Sequence, residues 1–115
     1  MRLSRLLALA AALLLTGCHS AHIEATISNH TAETLTLVEV DYPSASFGTQ
    51  TLASGQDFHY RFKVLGSGPT TLIWTDPTHH EHKSPGPALH ESDEGTLTIT
   101  LQPAGPIWNF SSPIH

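Results

Sequence analysis

The stretch "DFHYRFKV", residues 57–64, has the strictest alternation in the chain and decides the fold class. Phe58, Tyr60, Phe62 and Val64 take every second position, and the positions between them carry polar or charged side chains. Successive side chains of a β-strand point to opposite faces of a sheet, so this period of two predicts a strand with one face in an apolar core. No segment after the N-terminus shows the spacing of an amphipathic helix.

The preceding stretch "LTLVEVDY", residues 35–42, alternates in two phases. Leu35 and Leu37 hold odd positions, whereas Val38, Val40 and Tyr42 hold even ones. One extra residue in the strand moves every later side chain to the opposite face. We therefore expect a β-bulge near Leu37 or Val38 that returns both sets to one face.

Similar apolar alternation recurs between Gly- and Pro-containing turns, in "HIEATIS" before this stretch and in "TTLIWTD" and "GTLTITL" after residue 64. Six or seven short strands at roughly ten-residue spacing, over residues 23–102, predict an all-β domain. We expect a small antiparallel immunoglobulin-like β-sandwich, with a small barrel as the alternative. The chain has a single cysteine, so an intrachain disulfide cannot contribute to its stability.

The N-terminus has the layout of a cleaved export signal. A basic start, "MRLSR", is followed by an apolar run, "LLALAAALLL", and by two small residues, so residues 1–17 are predicted to be a signal helix that is removed after export. As a helix, the ten-residue apolar run is about 15 Å long, half the hydrocarbon thickness of a bilayer. This segment is therefore too short to serve as a permanent membrane span.

The single cysteine follows this run directly, in Leu15-Thr16-Gly17-Cys18. This stretch resembles the lipobox of bacterial lipoproteins, and all four positions match. The resemblance implies that Cys18 becomes the first mature residue and carries lipid, and two or three acyl chains hold a protein on a bilayer effectively permanently. The alternative is a secreted protein with a free thiol at Cys18.

Lipidation implies a place in the bacterial cell envelope, with residues 18–22 as a tether. An Asp directly after the lipidated cysteine resembles a signal for retention in the inner membrane. This chain has His19 at that position instead. The sequence therefore favours the outer membrane over the inner membrane.

Residues 103–115 are interpreted as a Pro-rich aromatic tail. Three prolines interrupt a β-ladder, yet the segment also contains Ile107, Trp108 and Phe110. Either the tail folds back over a sheet edge or the open end of the core, or Trp108 and Phe110 contact a partner or a membrane.

Histidine is the compositional anomaly, with nine residues, three of them in "THHEHK". In a strand, His80 and His82 lie on one face about 6.5 to 7 Å apart, which allows them to share a metal ion, while His79 points away. His90, Asp76 or Glu91 is a potential third ligand. The hypothesis is a zinc, copper or nickel site at His80, His82 and His90, and its alternative is a solvated hairpin with no cofactor.

The charge balance and the missing motifs exclude several function classes. Without residues 1–17 the chain keeps three Lys and Arg against ten Asp and Glu, a formal charge of about −7, which disfavours nucleic acid. No Gly-x-Ser-x-Gly elbow, carboxylate pair for glycoside hydrolysis or phosphate-binding glycine loop occurs, so the protein is not expected to be an enzyme.

The prediction that remains is a membrane-anchored, non-catalytic binding or envelope-assembly module. Its partner is expected to be a protein or cell-envelope material, contacted through a sheet edge, the loops or the aromatic tail. The alternative is a periplasm-facing metal-binding protein that uses the cluster His79–His82.

Overall fold

The polypeptide folds into two stacked four-stranded sheets, seen here in a computed structural model that describes residues 20–113. In chain order its strands are β1 (Ile23–Asn29), β2 (Leu35–Tyr42), β3 (Ala45–Leu52), β4 (Asp57–Phe62), β5 (Thr71–Thr75), β6 (Glu81–Pro85), β7 (Gly95–Gln102) and β8 (Gly105–Ser111). The all-β prediction is confirmed for this part of the chain. Residues 1–17, Cys18 and His19 lie outside the described residues.

Sheet A has the strand order β4-β1-β7-β8, and sheet B has the order β3-β2-β5-β6. All neighbouring strands are antiparallel except β1 and β7, which run parallel from Ile23 beside Gly95 to Asn29 beside Leu101. The chain passes from one sheet to the other after β1, β3, β4 and β6. This alternation gives the sandwich two ends that differ in the segments they carry.

We call the end where β1 begins the proximal end and the end where β1 finishes the distal end. Ile23 pairs with Phe62 near the end of β4, so the connections at residues 43–44, 63–70 and 86–94 are proximal. The turns at residues 30–34, 53–56, 76–80 and 103–104 are distal. Residues 20–22 therefore lie at one end, and four turns cluster at the other.

The core lies between the sheets and is almost wholly aliphatic. Five aromatic side chains, Tyr42, Phe58, Trp74, Trp108 and Phe110, are half-buried and pack against its margins. The buried apolar residues are Ile23, Ala25, Ile27, Leu35, Val38, Val40, Phe47, Leu52, Phe62, Val64, Leu72, Leu89, Leu97, Ile99 and Leu101. Burial of this set is the main favourable contribution to folding.

The phase change in β2 is the predicted β-bulge, but the expectation that Leu37 returns to the core face is wrong. The register between β2 and β5 shifts by one residue between Thr36 and Glu39, and Leu35, Val38 and Val40 are all buried. Leu37 is the residue left outside, with φ of 49° and 60% of its surface exposed. The bulge therefore lets one face of β2 cover the core on both sides of Leu37.

The stretch at residues 57–64 follows its predicted pattern except at Tyr60. Phe62 and Val64 are buried and Phe58 is half-buried, whereas Tyr60 remains 43% exposed. β4 is an edge strand of sheet A, so no further strand covers this side chain. The Tyr60 ring instead stacks on Phe47 of sheet B, with centroids 4.7 Å apart.

The segment interpreted as a tail folds back onto a sheet edge, which is one of the two expected alternatives, and does so as a regular strand. Gly105–Ser111 is β8, which pairs with β7 along its whole length, so eight strands are described instead of six or seven. Proline is tolerated at the start of an edge strand, and Pro106 occupies that position. Among residues 20–113, no helix is long and apolar enough to span a bilayer.

Candidate functional site

A groove of about 610 Å³ opens at the distal end between the two sheets. Its walls are formed by three turns that meet there: the turn between β1 and β2, the turn between β5 and β6, and the turn between β7 and β8. We call it the distal groove, and it is lined by Thr31, Ala32, Glu33, Leu35, Trp74, Asp76, His82, Gln102, Pro103, Ala104 and Gly105. Its volume is in the range of small-ligand and side-chain binding sites.

Asp76 organises the wall that belongs to sheet B. Its Oδ1 accepts hydrogen bonds from the Thr78 amide (2.9 Å), the Thr78 hydroxyl (2.6 Å) and the His80 amide (3.1 Å). Its Oδ2 accepts a hydrogen bond from His82 Nε2 at 2.7 Å. These bonds, first the one from His82 and then those from Thr78 and His80, hold the pKa of the Asp76 carboxyl well below its usual value.

Trp74 and His82 form a stacked pair on this wall. They are directly opposite each other on β5 and β6, and their rings lie 5.2 Å apart at an interplanar angle of 13°. Trp74 is half-buried against the core, while the side chain of His82 is 44% exposed. The pair therefore offers a flat aromatic surface, fixed by Asp76 from one side, to any molecule that enters the groove.

The opposite wall depends on a buried amide. Asn29 is fully buried at the end of β1, where its Nδ2 donates to the carbonyl oxygens of Glu33 (2.8 Å) and Leu52 (2.9 Å). Its Oδ1 accepts from the amide and the hydroxyl of Thr31, at 2.9 and 2.7 Å. All of these polar groups are satisfied, so Asn29 holds the turn at residues 30–34 in a single arrangement.

The distal groove is acidic and partly aromatic. Its lining includes two carboxylates, Glu33 and Asp76, and no lysine or arginine. The imidazole of His82 already uses Nε2 for Asp76, and the hydroxyl of Thr78 is bound to Asp76 and His80. This arrangement favours a ligand with positive charge and a flat or apolar part, because cations are attracted to carboxylates and to aromatic faces.

The predicted metal trio is not assembled in the structure. His82 lies in β6, and His80 lies in the preceding turn, where its Nδ1 contacts the Thr78 hydroxyl at 2.8 Å. His90 belongs to the proximal end, with its amide bound to Asp93 at 2.8 Å and its neighbour Leu89 bridged to Gly68. The five residues of β5 separate the two locations, roughly 17 Å at the rise of a strand.

Only part of the predicted cluster thus reaches a common site. Among residues 20–113, no group of three or more His, Cys, Asp and Glu side chains is arranged to hold a metal ion. Of the alternative third ligands, Asp76 contacts His82, whereas Glu91 lies on the proximal loop with its amide bound to Ser67. His79 adopts a positive φ of 67° in the turn.

Trp108 and Phe110, the predicted partner contacts, face the core. They lie opposite Ile99 and Leu97 in the β7–β8 pairing, and both are half-buried. The exposed aliphatic side chain of this strand is Ile107. The lipidation site Cys18 lies outside the described residues.

Comparisons with known proteins identify a fold and no family. Neither a protein-family model nor a curated protein matches the sequence. The chain is similar to the NMR structure of a protein from Eubacterium rectale, with a TM-score of 0.53 and 13% identity, covering 86% of this chain and 93% of that one. At this identity the similarity shows only that the sandwich architecture recurs in another chain.

The sequence does not indicate a site role for Trp74 or Asn29, although both contribute to the groove. Trp74 reads as a core residue because it is in phase with Leu72, and it becomes part of the groove because β5 ends there. Asn29 had a detectable signal, since Asn followed two residues later by Thr at a strand end is typical of a side chain that hydrogen-bonds its own turn.

Proposed function

We propose that this protein is a bacterial envelope lipoprotein whose sandwich is a non-catalytic binding module. The observation that carries the proposal is the position of the distal groove. β1 starts next to the tether and finishes next to the groove, and seven residues of strand span about 23 Å. A bilayer at the proximal end leaves the distal groove open to the periplasm.

Membrane attachment is supported by the lipobox and by the short tether. Lipidation at Cys18 needs no spanning helix, and the apolar run before it is too short to provide one. The residue after Cys18 is His19, which favours sorting to the outer membrane over retention in the inner membrane.

The side chains that line the groove favour binding over catalysis. Among the described residues, the lining contains no serine, cysteine or lysine that His82 could activate as a nucleophile, and the hydroxyl of Thr78 is bound to Asp76 and His80. The four hydrogen bonds on Asp76 similarly fix it as a structural acceptor. The partner that fits the groove is a protein or envelope component that presents a cationic or aromatic group.

The finer fold assignment belongs to the same proposal. We place the domain among immunoglobulin-like sandwiches because two antiparallel hairpins of sheet B, β2–β3 and β5–β6, pack on a sheet that contains the last two strands. The position of β1 between β4 and β7, parallel to β7, distinguishes it from the antibody arrangement.

Lipidation is tested by mass spectrometry of the protein isolated from membranes. The expected N-terminus is an acylated Cys18, and a Cys18→Ser variant is expected to lose both the acyl mass and the partition into detergent. An unmodified native chain, or one that begins at another residue, would contradict the membrane part of the proposal.

The binding role is tested by photo-crosslinking in intact envelopes. A photoreactive amino acid at Ala32 or Ala104, both on the rim of the distal groove, is expected to capture the same discrete product, while one at Asn109 on the outer face of sheet A is not. The charge reversal Glu33→Lys should abolish this product without lowering the melting temperature, because only the backbone of Glu33 supports the turn. Equal capture from Asn109, or capture insensitive to Glu33→Lys, would contradict the role of the groove.

A further inference from the structure

The chain just before β1 is tied to sheet A at His22. His22 Nδ1 lies 2.9 Å from the carbonyl oxygen of Ser20 and 3.1 Å from Arg61 Nη2. Glu24 Oε1 lies 3.5 Å from both His22 Nε2 and Arg61 Nε. The amide of Gly95 also binds the carbonyl of His22 at 3.3 Å. The tether is therefore tied to sheet A on two sides before β1 begins.

Few residues separate this tie from the proposed lipid. If Cys18 carries the lipid, as the proposed function holds, only three residues lie between it and His22. Consecutive Cα atoms are 3.8 Å apart, so the Cα of His22 lies at most about 15 Å from that of the acylated residue. A domain on so short a tether cannot move far from the headgroups, and its proximal end is the part that meets them.

The proximal end carries an uncharged surface with an exposed leucine. β4 is antiparallel to β1, so the chain leaves β4 at the end where β1 begins, and Leu65 in the loop that follows is 64% exposed. The Leu65 amide donates to Ser44 Oγ at 3.2 Å, which joins this loop to the β2–β3 turn. Residues 43–46 and 65–69, which we call the Leu65 patch, contain no charged side chain in a domain that is otherwise strongly acidic.

The Leu65 patch is anchored by hydrogen bonds to the segment at residues 89–92. Val64 is buried, and its carbonyl accepts a hydrogen bond from the Ser92 amide at 3.0 Å. Gly68 is bridged to Leu89 in both directions, at 2.9 and 2.8 Å. Leu65 therefore projects from an anchored loop, and its exposed apolar surface has no compensating contact in water.

We propose that the Leu65 patch is a lipid-contacting surface that inserts Leu65 among zwitterionic phospholipid headgroups and holds the sandwich upright on the bilayer. Zwitterionic lipid is the partner that fits because the proximal connections at residues 63–70 and 86–94 carry three carboxylates against the single Lys63, so an anionic surface would on balance be repelled. The acyl chains supply the attachment, and Leu65 supplies orientation. Burial of one leucine side chain favours the upright arrangement by about tenfold or more.

The inference rests on the proposed lipidation, and its experiment separates the two. Lipidated protein is placed in nanodiscs of phosphatidylethanolamine and phosphatidylcholine, with an environment-sensitive fluorophore on Ala45→Cys in the Leu65 patch or, as the matched control, on Ala104→Cys at the distal end. Both alanines are exposed, and the thioether at Cys18 leaves the introduced cysteine as the single free thiol. The mass of the intact protein shows beforehand whether Cys18 is acylated.

The expected result is strong quenching of the fluorophore at residue 45 by headgroup-depth spin-labelled lipids and at least tenfold weaker quenching at residue 104. Leu65→Ser should decrease quenching at residue 45 and increase it at residue 104, because the domain then tilts freely. Equal quenching at the two positions in acylated protein, or quenching unaffected by Leu65→Ser, overturns the inference while the lipoprotein assignment stands. An unacylated Cys18 contradicts the proposed function itself.

Discussion

Leu37 has a backbone conformation that leucine rarely adopts. Its φ of 49° is in the left-handed region, which costs a residue with a Cβ roughly 1–2 kcal/mol, and its side chain gains little from burial because 60% of it is exposed. The bulge is required to keep Val38 and Val40 in the core, so the cost is a consequence of the β2 sequence.

Replacement of Leu37 by asparagine should therefore stabilise the domain. Asparagine tolerates positive φ better than leucine does, and we expect the free energy of unfolding to rise by about 0.5–1 kcal/mol. Urea denaturation measures the change. Leu65→Asn is the matched control, since Leu65 is similarly exposed, at 64%, and is not among the residues with positive φ. A loss of stability in Leu37→Asn would contradict the strain at this position.

Asp76 makes the stability of the distal turn depend on pH in one direction. Because its folded pKa lies below the unfolded value of about 3.9, its contribution is present above about pH 4 and is lost as the pH falls further. Asp76→Asn and Asp76→Ala should both be less stable than the native protein at pH 7, and the difference should shrink between pH 4 and pH 2. Melting temperatures across this range test the prediction, and a difference that stays constant to pH 2 contradicts it.

At the level of strands, alternation in the sequence predicted which segments are extended and where β2 changes phase. It could not assign residues 105–111, because prolines around a short aromatic run look the same in a loop and in an edge strand. Nor could it predict the distal groove, whose residues lie on three turns and the adjoining strand ends, because the pairings of β1 with β7 and of β2 with β5 bring these to one end. Strand pairing between distant segments is not encoded in the period of either segment.

The contact between β8 and the segment after β6 closes one side of the sandwich. A Cβ on Gly86 would lie 2.5 and 2.6 Å from ring atoms of Trp108 and 2.4 Å from Thr70 Oγ1, so the Trp108 ring depends on the absence of a side chain there. Trp108 Nε1 is buried with no hydrogen-bond partner in the described part of the chain. The indole ring fills the space beside Gly86, and its N–H is left without a hydrogen-bond partner among the described residues.

A double-mutant cycle tests this contact. Gly86→Ala should lower the free energy of unfolding by about 1–3 kcal/mol through overpacking, and Trp108→Phe should recover part of that loss because phenylalanine lacks the outer ring atoms. Gly68→Ala is the control, since its Cβ would meet Pro43 at an ordinary 3.4 Å and should change stability little. Additive effects of the two substitutions would show that the ring does not rest on Gly86.

At the scale of the whole molecule, the two ends of the sandwich have different tasks under the proposals made above. The proximal end includes the uncharged Leu65 patch, and the distal end presents a groove with two carboxylates. β1 runs directly from one end to the other, so under these proposals sheet A would set the distance between the bilayer and a ligand in the groove.

The dependence of this arrangement on β8 gives a prediction for the size of the folding unit. A chain of residues 20–102 lacks Trp108 and Phe110, and β7 becomes the edge strand of sheet A. Loss of two large aromatic contacts costs about 3–5 kcal/mol each, against the roughly 5–14 kcal/mol that a domain of this size has in total. We expect residues 20–113 to unfold in one cooperative thermal transition and residues 20–102 to show none by circular dichroism. A chain that ends at Ser112 keeps β8 and should melt within a few degrees of residues 20–113, whereas a cooperative transition in residues 20–102 would show that the first seven strands suffice as a folding unit.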